Sequence, residues 1–585
     1  MKKQLLVLLL SVLAVVQLPA QEPVALWGKA MQAGYQARSN SVSIAPDDGI
    51  YSIASVGTRF ATDDICFGSD KIAPGTENKA DNGNSYNGNF VLTRINKTGS
   101  VLWAVYSKNA DVMANNMYVQ TVRDGVVAFF GVRHAEKYGS NNIVFVDAAN
   151  KENVLEWTLD DYGDGKEHRY YMGVVLKVNA DGQVQWLRKI EASHAPQPAG
   201  TAEQALLTAQ GINPCALQTD ARGDIFIAGG QATELKLLKQ DGTYAAVAPR
   251  YVDGWDGKSI SDVGDLFLIK LNAEGYYLNH VQTAGTATKL QIVDMDYKNG
   301  KITLLGTLKG VAGQTVSLGG KAVTPADAYA GVFTARMDSN FNTDYFTFLP
   351  SQNNKNFTLN TSSVLAGKEF TWVLCKCSGE LLTTDGKTVS TGKLTRAGMV
   401  MKLDKKTGAL LQAYVRNEDQ SGFFSSFEGE DGCLYAFGHK LLGNLWIDKF
   451  TPADITAPAS SWNEMIVNTS DALDIAFTRD GLLFTSTTAN AKGNKLYGGT
   501  LTIDQTSTAY SCNICAFQLP VKPYIPVAQG DANGDGVVSV ADAVAIVDYM
   551  TGKPSASFVE EAADMNGDGK IDVSDVVALI SLIVG

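Results

Sequence analysis

Histidine and cysteine, which carry much of metal and nucleophile chemistry, are scarce here: 5 and 7 among 585 residues. No H-E-x-x-H, G-x-S-x-G elbow, Walker loop or strand-following G-x-G-x-x-G occurs. Basic residues are outnumbered, 49 Lys and Arg against 61 Asp and Glu. The resulting charge of −12 argues against a nucleic-acid partner, which would want a basic face. Beyond the N-terminus no apolar run reaches the ~20 residues of a membrane span. Seven cysteines cannot all pair with one another. Cys375 and Cys377 alternate in a strand-like run, while Cys512 and Cys515 form a C-x-x-C without the βαβ context of a redox motif. A local disulfide and two core thiols both stay open for that pair.

What is present begins with a leader. Lys2 and Lys3 precede an apolar core from Leu5 to Val16, and small Ala20 closes it. Residues 1–20 therefore read as a secretory signal peptide, although Leu18 stands where a second small residue is usual. The expectation is an exported bacterial protein, secreted or held at the cell surface, with the periplasm also open.

Residues 21–520 repeat. One unit is a turn between alternating apolar runs, as in "SVSIAPDDGIYSIASVG" (41–57), "QTVRDGVVAFFG" (120–131) and "LQTDARGDIFIAGG" (217–230). Looser copies begin near 293, 363, 426 and 475. Asp-Gly or Asn-Gly between period-2 runs is a hairpin signal. A second unit follows each first one: "FVLTRINKTGSVLW" (90–103), "VVLKVNADGQVQW" (174–186), "LFLIKLNAEGYYL" (266–278), and later copies near 332 and 399. The sixth, "LWIDKF" (445–450), is short, and the seventh, "NICAFQLP" (513–520), stops before its second strand. The missing strand is at the other terminus, where "VALWGKAM" (24–31) aligns with "SVLWAVYS" and "VQWLRKI".

Four strands per repeat, permuted by one strand at the ends, predict a mainly β fold: a seven-bladed β-propeller closed by the N-terminal strand. This region resembles the bacterial beta-propeller-repeat proteins. That resemblance implies a scaffold and assigns no activity.

Up-and-down connectivity puts the short turns on one face. The strand two-to-three and inter-repeat connections fall on the other, where the sequence predicts long irregular loops around 59–89, 135–173, 192–212 and 231–264. Trp157, Asp160, Asp161 and Tyr162 lie in one of them, and Tyr251, Asp253, Trp255 and Asp256 in another. Aromatic planes that stack on sugars, beside carboxylates that bond hydroxyls, make these a candidate glycan face. The rival reading packs both tryptophans onto their own loops. If two of those carboxylates faced each other across a sugar, the chain would be a polysaccharide hydrolase or lyase, the alternative to a binding protein. His134 and His439 follow equivalent glycines and read as framework.

A Pro-containing linker, 521–529, leads to residues 530–585, where one pattern occurs twice: "DANGDGVVSVAD" (531–542) and "DMNGDGKIDVSD" (564–575). Calcium loops take side-chain oxygens at places one, three and five, a turning Gly, a carbonyl at seven and an acid at twelve. The first set is Asp531, Asn533, Asp535, the Val537 carbonyl, Ser539 through water and Asp542. The second is Asp564, Asn566, Asp568, the Lys570 carbonyl, Asp572 and Asp575. The closing acid is Asp in both, and a helix is expected after each loop but before neither. Loop then helix, twice, is similar to the dockerin family. The resemblance implies two calcium ions, calcium-dependent folding and a cohesin-type or other surface-protein partner. One departure stands out: Val540–Ala541 and Val573–Ser574 are not a matched polar pair of the kind many dockerins present.

Overall fold

The computed structural model describes residues 22–33, 36–57, 64–74, 88–108, 110–134, 142–156, 172–192, 212–231, 234–249, 265–353, 355–441, 443–469, 471–489, 495–496, 499, 501–504, 511–525, 527–534 and 538–584. The signal-peptide reading, Asp535 and Val537 of the first loop, and all eight candidate glycan-face residues lie outside them.

The described chain is mainly β, with helices only after residue 539. Seven antiparallel sheets each contain four strands in the order expected from the repeats. Their first strands are Gln36–Ile44, Ala110–Val122, Ile212–Thr219, Ala287–Lys298, Thr358–Ala366, Ser421–Glu428 and Asp471–Phe477. Each of these touches the first strand of the next sheet, and the seventh touches the first, so the array closes on itself. Val24–Gln32 completes the seventh sheet by pairing antiparallel with Ser511–Gln518, Val24 opposite Gln518 and Met31 opposite Cys512. The sixth sheet takes its fourth strand from Ser460–Thr469, beyond the short repeat copy.

Local chemistry explains the hairpins. Asn96 Oδ1 accepts the N–H groups of Thr98 (3.0 Å) and Ser100 (2.9 Å). Asn179 and Asn272 hold their turns in the same way. The fourth turn residue needs positive φ, which Gly99 (+84°), Gly182 (+82°) and Gly275 (+79°) supply. These glycines also make room for the preceding sheet. A Cβ at Gly182 would sit 2.7 Å from the Trp103 ring, and one at Gly275 2.7 Å from Trp186. Trp27 covers Gly99 likewise and donates Nε1–H to the Lys97 carbonyl at 2.9 Å. The aligned tryptophans of the repeats are thus clasps between neighbouring sheets.

All seven first strands shift register against their second strands, and such bulges bend a strand and sharpen its twist. Two of the bulges carry acids that reach the next sheet. Asp294 Oδ2 accepts Val364 N–H at 2.7 Å, and Asp474 Oδ2 accepts Val42 N–H at 3.0 Å. Burial raises both carboxyls, Asp294 to about 7 and Asp474 to about 6.

Three of the connections expected to be irregular contain hairpins. Ile65–Phe67 with Asp70–Ala73, Asn142–Val146 with Glu152–Glu156, and Leu235–Leu238 with Tyr244–Val247 each add to the outer strand of the preceding sheet. Three to five residues are too few to show a clear period-2 pattern, yet they cover an outer edge that would otherwise stay open. His439 is buried in the sixth sheet against Phe424, in keeping with a framework role, while the His134 side chain is outside the described set. Cys375, Cys377, Cys512 and Cys515 are buried and not joined in disulfides, which resolves the C-x-x-C as two core residues.

Candidate metal centre in the duplicated C-terminal loops

The segment after the ring runs along the turn of the sixth sheet. Tyr524 N–H donates to the Glu428 carbonyl at 2.6 Å, and Glu430 N–H to the Lys522 carbonyl at 2.9 Å. Gln529 then ties the terminal module to the fourth sheet. Its Oε1 accepts from Tyr297 Oη at 3.4 Å, and its Nε2 donates to the Met565 carbonyl at 3.0 Å.

Two helices, Val540–Met550 and Val573–Val584, pack together over Ala532, Ala543, Ile546, Ala563, Met565 and Leu579. One turn, Glu560–Ala563, precedes the second loop, where no helix was expected. Four residues without a side-chain cap give too little periodic signal to be read as a helix. The two halves are joined through backbone: Val559 N–H donates to the Ala532 carbonyl at 2.9 Å, and Gly530 N–H to the Ala562 carbonyl at 2.8 Å.

The closing acids occupy equivalent buried positions. Asp542 Oδ1 accepts Asn533 N–H at 3.0 Å, and its Oδ2 accepts Ser539 N–H at 2.8 Å. In the second loop Asp575 Oδ1 accepts Asn566 N–H at 3.3 Å and Met565 N–H at 2.8 Å, and Oδ2 accepts Asp572 N–H at 2.9 Å. Each acid thus clamps the third and ninth places of its own loop. Ser539 doubles as N-cap of the first helix, its Oγ accepting Ala541 N–H at 3.2 Å in a capping box with Asp542. Asp572 plays the corresponding part, accepting Ser574 N–H at 2.8 Å.

The first-place acids differ from these. Asp531 is buried, whereas Asp564 is half-buried and accepts N–H from Gly567 (2.8 Å), Asp568 (3.2 Å) and Gly569 (2.8 Å). Burial is the main cause raising the Asp564 pKa, the Gly569 and Gly567 N–H groups oppose it, and the charges of Asp575 and Asp568 add to it. Asn566 and Asp568 lie close by, Asp568 N–H donating to Asn566 Oδ1 at 2.9 Å. Lys570 N–H donates to Asp568 Oδ1 at 2.8 Å.

The donor chemistry fits a hard divalent cation: oxygen atoms only, with Gly569 at the sixth place and φ of +81° where such loops turn sharply. Among the described residues no three acids are yet gathered at metal distance. Their oxygens accept backbone N–H groups of the loops and keep further lone pairs for a cation.

The structure also exposes a pattern that periodicity alone did not separate from core. Val540, Val544, Val547 and Met550 face outward on the first helix; Val573, Val577, Ile580 and Val584 do so on the second. Val540 is 64% exposed and Val573 63%. The signal was present in the spacing, since 540, 544 and 547 recur as 573, 577 and 580. Among the described residues, no helix is long and apolar enough to cross a membrane.

No curated protein matches the chain. Solved structures align at low similarity. A quinohemoprotein alcohol dehydrogenase, ADHIIG from Pseudomonas putida HK5, is 10% identical with a TM-score of 0.39, covering 94% of this chain and 85% of that one. The Dos1 propeller is 9% identical with a TM-score of 0.38, covering 85% and 96%. A quinohemoprotein alcohol dehydrogenase from Comamonas testosteroni is 10% identical with a TM-score of 0.37, covering 96% and 89%. At such scores these likenesses carry no argument, and the fold rests on the strand pairing itself. The C-terminal module is another matter: residues 529–583 match the dockerin type I domain, a family that typically binds calcium.

Proposed function

We propose that this is an exported interaction protein, a seven-bladed β-propeller joined to a calcium-dependent docking module. In this reading residues 1–20 are a signal peptide, 21–520 the propeller, 521–529 the linker and 530–585 the docking module. The closed cycle of first strands and the pairing of Val24–Gln32 with Ser511–Gln518 support the propeller. Two calcium ions are held by the loop residues: Asp531, Asn533, Asp535, Val537, Ser539 and Asp542 in the first, Asp564, Asn566, Asp568, Lys570, Asp572 and Asp575 in the second. Calcium draws together carboxylates that otherwise repel one another, so binding and folding of the module are linked.

The observation that carries the function is the doubled apolar stripe. A module this small has little core to spare, yet it leaves four large apolar side chains exposed on each helix, three of them at matching positions. Such a surface suits a protein partner of cohesin type, with valines in place of polar contacts. The long-loop face of the propeller remains a glycan-binding proposal. The test is a pull-down with the full chain in calcium and in EDTA. Capture in calcium, lost in EDTA and lost again in Val540→Asp/Val573→Asp, is expected. Capture that ignores both changes would overturn the reading.

A further inference from the structure

Ring and module border an open cavity of about 420 Å³ at the short-turn end of the fourth to seventh sheets. That volume lies in the ~300–1,000 Å³ range of small-molecule pockets. Much of its wall is apolar, with Phe427 and Phe477 5.2 Å apart between ring centres, and Tyr524 of the connecting segment beside them. The module supplies the remaining wall through its second loop. Its seat there is close, because a Cβ at Gly567 would come within 3.2 Å of the Gly300 carbonyl oxygen.

Five cations line this space, and they fall into two groups. Lys298 pairs with Asp296 at 3.2 Å, while Lys301 and Arg336 share Asp344 at 3.2 and 3.9 Å. Lys368 and Lys405 form no ion pair among the described residues. Lys405 Nζ donates to the Lys368 carbonyl at 2.9 Å, and Lys368 Nζ stands 5.7 Å from the centre of the Tyr524 ring. Burial lowers the Lys405 pKa; the charges of Glu561 and Glu428 oppose this without reaching ion-pair distance, and those of Arg336 and Lys298 add to it.

Four carboxylates of the same wall hold hydrogen bonds of their own, Asp568 accepting Lys570 N–H at 2.8 Å. Glu428 accepts Lys368 N–H at 2.7 Å and Trp372 Nε1–H at 2.8 Å. Glu561 accepts from Asn299 at 3.1 Å, and Asp564 is held by its own loop. An entering molecule meets two ammonium groups outside ion pairs and an aromatic wall, beside four carboxylates held by hydrogen bonds of their own.

We propose that this cavity binds an organic anion with an apolar body, its charged head at Lys368 and Lys405 and its body against Phe427, Phe477 and Tyr524. Carboxylate, sulfate and phosphate heads share this chemistry; the titrations are run in calcium, because the second loop forms part of the wall, and partner docking is not needed to read them.

Titration calorimetry of the full chain with benzoate, phenyl sulfate and phenyl phosphate tests the site, with benzyl alcohol as the neutral control. At least one anion should saturate at one site per chain, about tenfold more tightly than the alcohol, or ~1.4 kcal/mol. Lys368→Ala/Lys405→Ala should weaken it by about tenfold or more, and Lys368→Arg/Lys405→Arg should keep it. Thermal melts check that each variant is folded. If no anion saturates, if the alcohol binds as well, or if a folded double-alanine variant binds like the native chain, the proposal fails. The proposed function would stand in that case, because its pull-down does not read this cavity.

Discussion

The ring and the C-terminal module are both made of repeats, and they spend their apolar residues in opposite ways. In the ring the strands next to the first are buried along nearly their whole length, as in Ile50–Gly57 and Ile225–Gln231, because each sheet is covered by two neighbours. In the module two copies make one small core around Ile546 and Leu579 and leave four large apolar side chains of each helix in solvent. A closed array satisfies itself, whereas a pair of loop–helix units needs a cation within and a partner outside.

Closure is where the contrast breaks most severely. Deleting residues 22–32 strips the edge of Ser511–Gln518, and we expect loss of soluble monomer in size-exclusion chromatography. A synthetic peptide with the sequence of residues 22–32, added during refolding, should recover part of it.

Within the ring, Trp372 is fully buried and its indole N–H satisfies Glu428. Trp372→Ala should cost ~3–5 kcal/mol in denaturant unfolding, with the calcium response of the module unchanged. In the module the driving term is the ion itself. At about a thousandfold over Kd, calcium should add ~4 kcal/mol to its stability. Circular dichroism of a 525–585 fragment reads this as helix gained on titration, and a well-folded, unresponsive apo fragment would contradict it.

The ring has its own pH response. The Asp294 carboxyl is raised to about 7 from an ordinary 3.8, so its folded form prefers to be neutral. Its contribution is present below pH 4 and is lost as pH rises through 7. Asp294→Asn keeps an oxygen for Val364 N–H and removes the charge, so it should stabilise the chain at pH 8 by ~1–3 kcal/mol and flatten the slope between pH 5 and 7. The smallest effect falls on the exposed stripe: Val540→Asp should change stability by less than ~0.5 kcal/mol, visible only in partner binding.

Much of this was legible beforehand, for local reasons. Asn-x-x-Gly and Asp-Gly turns act through their own backbone, so Asn96–Gly99 and Asn179–Gly182 announce hairpins without help from the rest of the chain. The alignment of Trp27 with Trp103 and Trp186 located the returned strand, because a clasp that must cover a neighbouring turn recurs at one position. The inserted hairpins were not legible, since Asn142–Val146 gains its meaning only from the edge of Val101–Ser107. In the module the loop ligands were legible from spacing, while the one-turn helix at Glu560–Ala563 was not.

The amino-acid order by itself determined the turns, the number of repeats, the permuted strand and the pairing of acids at the first and twelfth places. Those depend on contacts within a few residues or on exact recurrence. Only the tertiary structure decided which valines of the terminal helices face solvent, which acids lean across to the next sheet, and that Lys368 and Lys405 meet over one cavity. Such groups are brought together by packing between segments far apart in the chain, and burial and charge at those places are properties of the assembled fold.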